Sequence, residues 1–279
     1  MQYPNRFFFI ELRQEDIKMF QLKSYIKIII AILLLNFSAY AEEFNIIYFD
    51  PDGNLRNITS LQSEGNKYFQ SFSPDINFYV IASEQILNTE MERLKPQFMI
   101  VQSLYYSRQK TSLAYKPYFI FLTKDNYFYH KKIITMNPEI KTLEELDKKV
   151  VASALPKEIT KELTGGERNW KILTVPKDMD ALMALKFKQA DAALVAENSL
   201  ESFKKLDPTD SQSIIPIFTT KSIFLPLGVS TKYTTNKEMV TKLTEFMKKI
   251  KTDANGSSFI KMMNFDDISD NKKTLGMVP

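Results

Sequence analysis

The chain is long enough, at 279 residues of which 44% are hydrophobic, to bury one large core or two medium ones. Its formal net charge of +4 falls to +2 without residues 1–41, and a charge so nearly balanced does not favour nucleic-acid binding. The absence of cysteine excludes disulfide bonds and an acylated N-terminal cysteine, and a single histidine argues against a conventional zinc site.

The N-terminal segment has the pattern of a secretory signal peptide. Two lysines precede the apolar run 28–37, and the small residues Ala39 and Ala41 are typical of a cleavage site. A membrane-spanning helix is the alternative, but the run is about half of the roughly 20 residues that cross a bilayer. We therefore expect cleavage after residue 41 and export to the periplasm. We place the true start at Met19, because Glu11, Glu15 and Asp16 bring acidic side chains to a segment that is basic in a signal peptide.

The first part of the remaining chain alternates apolar runs with helical stretches. Strands are predicted at 44–49, 76–82 and 98–101, and helices at 55–72 and 84–94. Strands that alternate with helices in this way form parallel sheets covered by helices.

A second part repeats this alternation. Its predicted helices and strands lie at 142–148, 150–152, 156–163, 171–175, 178–189 and 192–196. The first of these helices begins at a capping box, in which Thr142 and Glu145 each satisfy an amide of the helix start. The sequence thus predicts two α/β units in tandem.

Two apolar segments, 118–123 and 214–229, are predicted to cross between the two units. The last long helix is predicted over 237–251, with Asn255-Gly256 as the pair that ends it.

These elements predict a two-lobed α/β fold, in which each lobe is a mainly parallel sheet flanked by helices and two strands cross over. Lobe one would contain residues 42–122 and 217–279, and lobe two residues 123–216.

Side chains that carry most enzymatic chemistry are scarce. His130 has no nucleophile motif near it, and the two lysines that follow it indicate an exposed loop. Asp50, Asp52 and Asn54 are spaced as in the first half of a calcium loop, but the glycine and glutamate that complete such a loop are missing. We therefore expect no catalytic residue, no metal and no cofactor. An enzyme built from carboxylates, lysines and tyrosines is the remaining alternative.

Polar and aromatic side chains are frequent in the turns that follow the predicted strands. Ligands of open α/β sheets bind in the crevice at these strand ends, and small-ligand sites combine aromatic walls with a few polar anchors. The candidate ligand-binding residues in or next to these turns are Asp50, Gln102, Ser103, Tyr105, Tyr106, Ser153, Asp178, Glu197 and Asn198. Ordinary turn and cap residues are the alternative.

The segments 95–106, 142–152 and 180–195, in this order and spacing, resemble the type 2 periplasmic solute-binding proteins. The likeness is to the branch that includes the phosphate- and phosphonate-binding components of ABC transporters. It implies two lobes that close on a ligand held between them. The residues that it implies at the cleft are Asp50, Ser103 and Tyr105 from lobe one, and Ser153 and Glu197 from lobe two.

One turn departs from this branch. Phosphonate-binding relatives have a turn rich in serine, threonine and glycine before the lobe-two helix, where amides and hydroxyls hold the anion. Here the turn reads Ser153-Ala154-Leu155-Pro156-Lys157, so that most hydroxyl donors are missing. We therefore expect a larger or less charged organic ligand.

The predicted function is the capture of a small ligand and its delivery to the membrane permease of an ABC transporter, by a monomer that has no nucleic-acid partner. The alternative is a ligand-sensing partner of a membrane receptor or kinase, without transport.

Overall fold

Three sheets organise the residues that this computed structural model describes, which are 43–51, 58–166 and 168–279. The predicted signal peptide, the proposed start at Met19, and Asp52 and Asn54 of the calcium hypothesis lie outside them. Residues 43–279 form one compact unit. None of the helices described is long and apolar enough to cross a membrane.

In chain order the strands are β1 (Phe44–Phe49), β2 (Ile76–Ile81), β3 (Phe98–Val101), β4 (Lys116–Leu122), β5 (Phe128–Tyr129), β6 (Lys131–Thr135), β7 (Val150–Ser153), β8 (Lys171–Thr174), β9 (Ala192–Ala196), β10 (Ile215–Thr219), β11 (Ile223–Phe224), β12 (Leu227–Ser230) and β13 (Asp267–Ser269). The α-helices are α1 (Ile58–Phe72), α2 (Glu84–Leu94), α3 (Ser103–Gln109), α4 (Lys157–Leu163), α5 (Asp178–Lys186), α6 (Glu197–Leu206), α7 (Lys237–Met247), α8 (Ala254–Met262) and α9 (Lys272–Leu275). Two short 3-10 helices span Glu144–Leu146 and Asp210–Ser213.

The six-stranded sheet has the order β13-β4-β12-β3-β1-β2. β1 pairs in parallel with β2 and β3, whereas β4, β12 and β13 run antiparallel to their neighbours. Every residue of β1 and β3 is buried, as expected of parallel strands covered on both faces. We call this sheet with its helices lobe one.

The five-stranded sheet, which we call lobe two with its helices, has the order β10-β6-β9-β7-β8. β7 pairs in parallel with β8 and β9, and β6 pairs antiparallel with both β9 and β10. β10 lies at the edge of the sheet, and its register with β6 shifts between Pro216 and Phe218.

A two-stranded sheet lies where the chain passes between the two larger sheets. β5 follows β4 in sequence and pairs antiparallel with β11, which precedes β12. The predicted α/β class with two flanked sheets is therefore confirmed. The boundary predicted between residues 216 and 217 falls inside β10, and the division into lobes by residue number stays a proposal.

An aromatic cluster fills the face of lobe one beneath α1 and α8. The rings of Phe78 and Phe259 meet edge to face with centroids 5.2 Å apart, and Phe69 lies 5.2 Å from Phe78. Gly65 of α1 faces the same rings, where a Cβ atom would come within 2.2 Å of Phe78. Glycine at this position lets helix and strand approach closely.

The hydroxyl of Tyr68 is buried in this cluster and makes no hydrogen bond with any of the described residues. Burial, together with the charge of Asp253, raises the pKa of the Tyr68 phenol far above its ordinary value. Because an unsatisfied buried hydroxyl costs free energy, we expect Tyr68→Phe to leave the free energy of unfolding unchanged or to raise it by up to about 1 kcal/mol. Urea unfolding would check this. A loss above about 1 kcal/mol would mean that the hydroxyl has a stabilising partner.

A buried ion pair ties three elements of lobe two together. Lys131 of β6 places its Nζ 2.8 Å and 3.0 Å from the two carboxylate oxygens of Asp178, and the side chains are 0% and 1% exposed. The backbone amide of Ala196 donates to the same carboxylate at 2.6 Å. The pair therefore fixes the carboxyl end of β9. The prediction that His130 and the following lysines form an exposed loop was wrong, because this segment enters the sheet.

The turn predicted after β3 and the end predicted for the last long helix also need correction. Residues 103–109 continue as helix α3, and the helix over 237–251 stops at Met247. Asn255-Gly256 lies in the first turn of α8, where the Asp253 side chain accepts a hydrogen bond from the Gly256 amide at 2.8 Å. A Cβ on Gly256 would come within 2.6 Å of the Ile250 carbonyl oxygen, so that close packing requires this glycine.

The capping box predicted at residue 142 forms only in part. The Glu145 carboxylate accepts hydrogen bonds from the amides of Lys141 and Thr142, but the threonine hydroxyl makes no cap and the segment winds as a 3-10 helix. These bonds lower the pKa of Glu145.

Candidate functional site

A cavity of about 370 Å³ opens between the carboxyl ends of β1 and β3, the segment around β5 and the start of α6. Lobe one contributes Asp50, Gln102 and the segment after α8, and lobe two contributes side chains of α6. The cavity thus lies at the strand ends where open α/β sheets bind ligands.

Asp50 is the first residue after β1 and is 6% exposed. Its carboxylate accepts a hydrogen bond from the Tyr48 hydroxyl at 3.0 Å. This hydrogen bond helps to fix the orientation of the buried carboxylate at the cavity wall.

Gln102 follows β3 and connects two walls of the cavity. Its amide Nε2 donates to the Tyr129 hydroxyl at 3.1 Å, and its backbone N–H donates to the Phe49 carbonyl at 3.1 Å. Its own carbonyl accepts the first hydrogen bond of α3 from the Tyr106 amide. The side chain is nearly fully buried, which fixes its amide between strand end and helix start.

The aromatic wall consists of Phe128, Tyr129 and Phe265. Phe128 packs on Phe224 with centroids 4.5 Å apart, and Phe265 packs on Phe121 at 4.7 Å. Each ring has a neighbour or a hydrogen bond that holds it in place. The wall is therefore already formed without a ligand.

The opposite side is the first turn and a half of α6, with Glu197, Asn198 and Glu201. Glu197 forms an ion pair with Lys132 of β6, and the Asn198 side chain accepts from the Ser199 amide at 2.8 Å. All three side chains that line the cavity here are exposed to solvent.

His130 lies between β5 and β6, is half-buried and lines the cavity. Its Nδ1 is 2.9 Å from the carbonyl oxygen of Thr220 on the other crossing segment. Sequence reasoning missed this residue together with Phe128 and Tyr129, because a two-residue strand gives no periodic signal.

A second cavity, of about 280 Å³, lies on the other side of Gln102. Glu84 and Arg108 of lobe one line it, and Leu155, Pro156 and neighbours line it from lobe two. The Arg108 guanidinium donates two parallel hydrogen bonds to the Glu84 carboxylate, at 3.1 Å and 2.8 Å. The two opposite charges therefore offset each other.

Four of the nine predicted site residues thus come together at the first cavity, and they are Asp50, Gln102, Glu197 and Asn198. The other five line neither cavity. The Ser103 hydroxyl donates to the Phe224 carbonyl, and Ser153 bonds to Thr160 and to the Leu155 amide.

The remaining predicted residues are used inside the lobes. Tyr105 meets Phe49 edge to face at 4.9 Å, and burial with the charge of Glu84 raises its pKa to about 12. Tyr106 stacks on Tyr115 at 6.0 Å, and Asp178 belongs to the buried ion pair. These side chains support the structure behind the site, and a role in binding stays a prediction for all nine residues.

No group of three or more histidine, cysteine, aspartate or glutamate side chains that could hold a metal ion occurs in 43–51, 58–166 or 168–279.

Comparison with solved structures finds the same architecture at low sequence identity. A Xanthomonas citri protein bound to ATP matches with TM-score 0.66 and 8% identity, over 85% of this chain and 94% of that one. PhnD1 from Prochlorococcus marinus, in complex with methylphosphonate, matches with TM-score 0.65 and 10% identity, over 84% and 94%. The binding protein component of an ABC phosphonate transporter from Pseudomonas aeruginosa matches with TM-score 0.64 and 13% identity, over 84% and 83%.

No protein-family model matches the chain, and no curated protein matches it in sequence. The likeness therefore concerns the fold. The sheet order, the two crossings and the structural matches agree, and this chain has the two-lobed fold of the type 2 periplasmic binding proteins.

Proposed function

We propose that the protein captures a small organic solute between its lobes, in the periplasm, and delivers it to the permease of an ABC transporter. One observation carries the proposal: buried anchors of lobe one, Asp50 and Gln102, face side chains of α6 across a cavity with a preformed aromatic wall. A solute that contacts both sides binds the closed arrangement of the lobes more tightly than the open one, and therefore favours closure. The structural neighbours that are binding components of ABC transporters support this role.

The proposal describes binding without catalysis, by a monomer that has no nucleic-acid partner. The residues at the cavity are anchors, and the buried polar groups behind it already bond to other protein groups. The proposed lobes are 42–122 with 217–279, and 123–216.

The turn before α4 supports an organic solute over a phosphonate. The Ser153 hydroxyl is engaged by Thr160 and by the Leu155 amide, at 3.0 Å each. Pro156 has no N–H to offer, and α4 is only seven residues long. An anion would therefore find few donors here.

Native mass spectrometry of the protein purified from its own host tests the proposal. We expect a small molecule bound at one copy per chain, and Gln102→Leu to reduce its occupancy about tenfold, because the lost amide joins two walls of the site. Gln189→Leu, a change of the same kind at an exposed position, is the control and should keep full occupancy.

Two results would contradict the proposal. A bare mass with no binding to any solute fraction of the host would remove the solute-binding role. Submicromolar binding of methylphosphonate by calorimetry would keep that role but overturn the choice of an organic solute without a phosphonate group.

A further inference from the structure

The second cavity resembles the first in that both lobes form its walls. Lobe one contributes the end of β1 and residues of α2 and α3, and lobe two contributes the end of β8 and the turns after β7 and β8. It therefore also lies at the carboxyl ends of parallel strands, where open α/β sheets bind ligands. Its volume of about 280 Å³ lies just below the roughly 300–1,000 Å³ of small-ligand pockets, so that it suits one part of a ligand.

Gln102 lines both cavities. The end of β1 is divided in the same way, because Asp50 lines the first cavity whereas Phe49 and Pro51 line the second. The Gln102 side chain is fixed between them, since the residue is 2% exposed and its Nε2 donates to the Tyr129 hydroxyl at 3.1 Å. A solute that is long enough to pass this side chain would therefore contact both cavities at once.

An arginine and a glutamate of lobe one lie side by side in the second cavity. The hydrogen bonds from Arg108 Nη1 and Nη2 to the two Glu84 carboxylate oxygens hold both groups in place, although 28% and 33% of the two side chains are exposed. A guanidinium has five N–H groups, and a carboxylate oxygen can accept more than one hydrogen bond, so that each partner can bond a further group. Because their opposite charges offset each other, the pair suits an uncharged polar group that both donates and accepts, such as a hydroxyl or an amide.

The lobe-two wall of the second cavity is mainly apolar. Leu155 and Val175 line it, together with Pro156 and Pro176, which have no N–H to donate. The first cavity has its aromatic wall on the side of the crossing segments. Both cavities can thus bury carbon of a solute and bond its polar groups.

We propose that the captured solute is an extended organic molecule that occupies both cavities, with its middle against Gln102. Its carbon-rich part packs on the aromatic wall of the first cavity, and an uncharged polar end, a hydroxyl or an amide, bonds to Arg108 and Glu84 in the second. Such a solute contacts each lobe in two places, so that both cavities contribute to closure. This proposal rests on the proposed function and names the substrate class of its site.

Large side chains that fill one cavity test the proposal. A small-molecule extract of the host is fractionated, and the compound that raises the melting temperature of the refolded, ligand-free protein is isolated as the probe. Thr174→Trp and Gln85→Trp place an indole at exposed positions of the second cavity, one from each lobe. We expect each to weaken binding of the probe about tenfold in calorimetry, and Glu201→Trp to do the same from the first cavity, because the indole takes space that the solute needs. Lys171→Trp, at an exposed position of β8 outside both cavities, is the control and should leave the affinity unchanged.

The polar end of the solute is tested separately. Arg108→Leu removes the guanidinium from the second cavity, and we expect it to weaken binding of the probe about tenfold through the lost hydrogen bonds. Arg93→Leu breaks the ion pair of Arg93 with Glu90 on α2, outside both cavities, and should leave the affinity unchanged. Unchanged affinity in Arg108→Leu would overturn the assignment of the polar end.

The outcomes distinguish this proposal from the proposed function. If Glu201→Trp weakens binding but Thr174→Trp and Gln85→Trp do not, the extended solute is overturned and capture at the first cavity stands. If only the second-cavity variants weaken binding, or if Lys171→Trp weakens it as much, the extended solute is overturned as well. If no compound of the extract stabilises the protein, the proposed function itself fails. Either second-cavity variant keeps the test valid if the other does not fold.

Discussion

Replacing Asp178 with alanine is expected to lower the free energy of unfolding by about 3–5 kcal/mol, the largest effect of any single change that we predict. The reason is that Lys131, whose side chain is fully buried, would lose the carboxylate that its Nζ contacts at 2.8 Å and 3.0 Å. The Ala196 amide would also lose its acceptor. Urea unfolding followed by circular dichroism measures the loss.

The double variant Lys131→Met with Asp178→Ala tests the cause. Removing both charges should recover part of the loss, since the buried charge of Lys131 is then gone as well. A residual of about 1–3 kcal/mol is expected from the unsatisfied Ala196 amide. Glu238→Gln breaks the exposed pair between Glu238 and Lys242 and serves as the control, with a change within about 0.5 kcal/mol. A loss below about 1 kcal/mol for Asp178→Ala would show that the pair is not desolvated as the structure has it.

Gly65→Ala is expected to cost about 2 kcal/mol, although alanine is the better helix former. The added Cβ would lie 2.2 Å and 2.4 Å from two ring atoms of Phe78, and 3.0 Å from Phe259. These rings pack on each other and cannot withdraw independently. Thermal and urea unfolding of the variant measure the cost.

The control for Gly65 is Gly276→Ala, where the nearest atom to a new Cβ is 3.3 Å away and the backbone φ of −70° suits any residue. We expect a change within about 0.5 kcal/mol there. If Gly65→Ala proved neutral or stabilising, α1 would have room to move away from β2, and the close contact would carry no constraint.

The parts of the fold that the sequence predicted well are those with a strong period or a buried apolar run. The strands at 44–49, 98–101 and 192–196 and the helix at 84–94 match in both bounds. These segments bury a whole strand or one helical face, so that local pattern and tertiary environment agree.

Errors arose where tertiary contacts overrode local signals. Lys131 and Lys132 look like an exposed pair, yet Lys131 is buried because Asp178, 47 positions later, neutralises it. Asn255-Gly256 looks like a helix end, yet Asp253 turns it into a helix start. Neither partner is visible within a local window of sequence.

Only one general rule could locate the candidate site from the sequence, namely that open α/β sheets bind ligands at the carboxyl ends of their strands. That rule named four residues that line one cavity, Asp50, Gln102, Glu197 and Asn198. It also named Ser103, Tyr105 and Ser153, which line neither cavity, and their role in binding stays a prediction. The packing of the two sheets decides which side chains at a strand end face the cleft. The local sequence of one strand does not show this packing.

Pro216 bears on how this protein behaves at high concentration. β10 is an outer strand of its sheet, and a regular outer strand can recruit the same strand of another copy into a continuous ladder. Here the proline offers no N–H, and the shifted register next to it bends the strand away from a flat template. The row of backbone donors and acceptors that β10 offers to a second copy is therefore interrupted. Aggregation through this edge is disfavoured at high protein concentration.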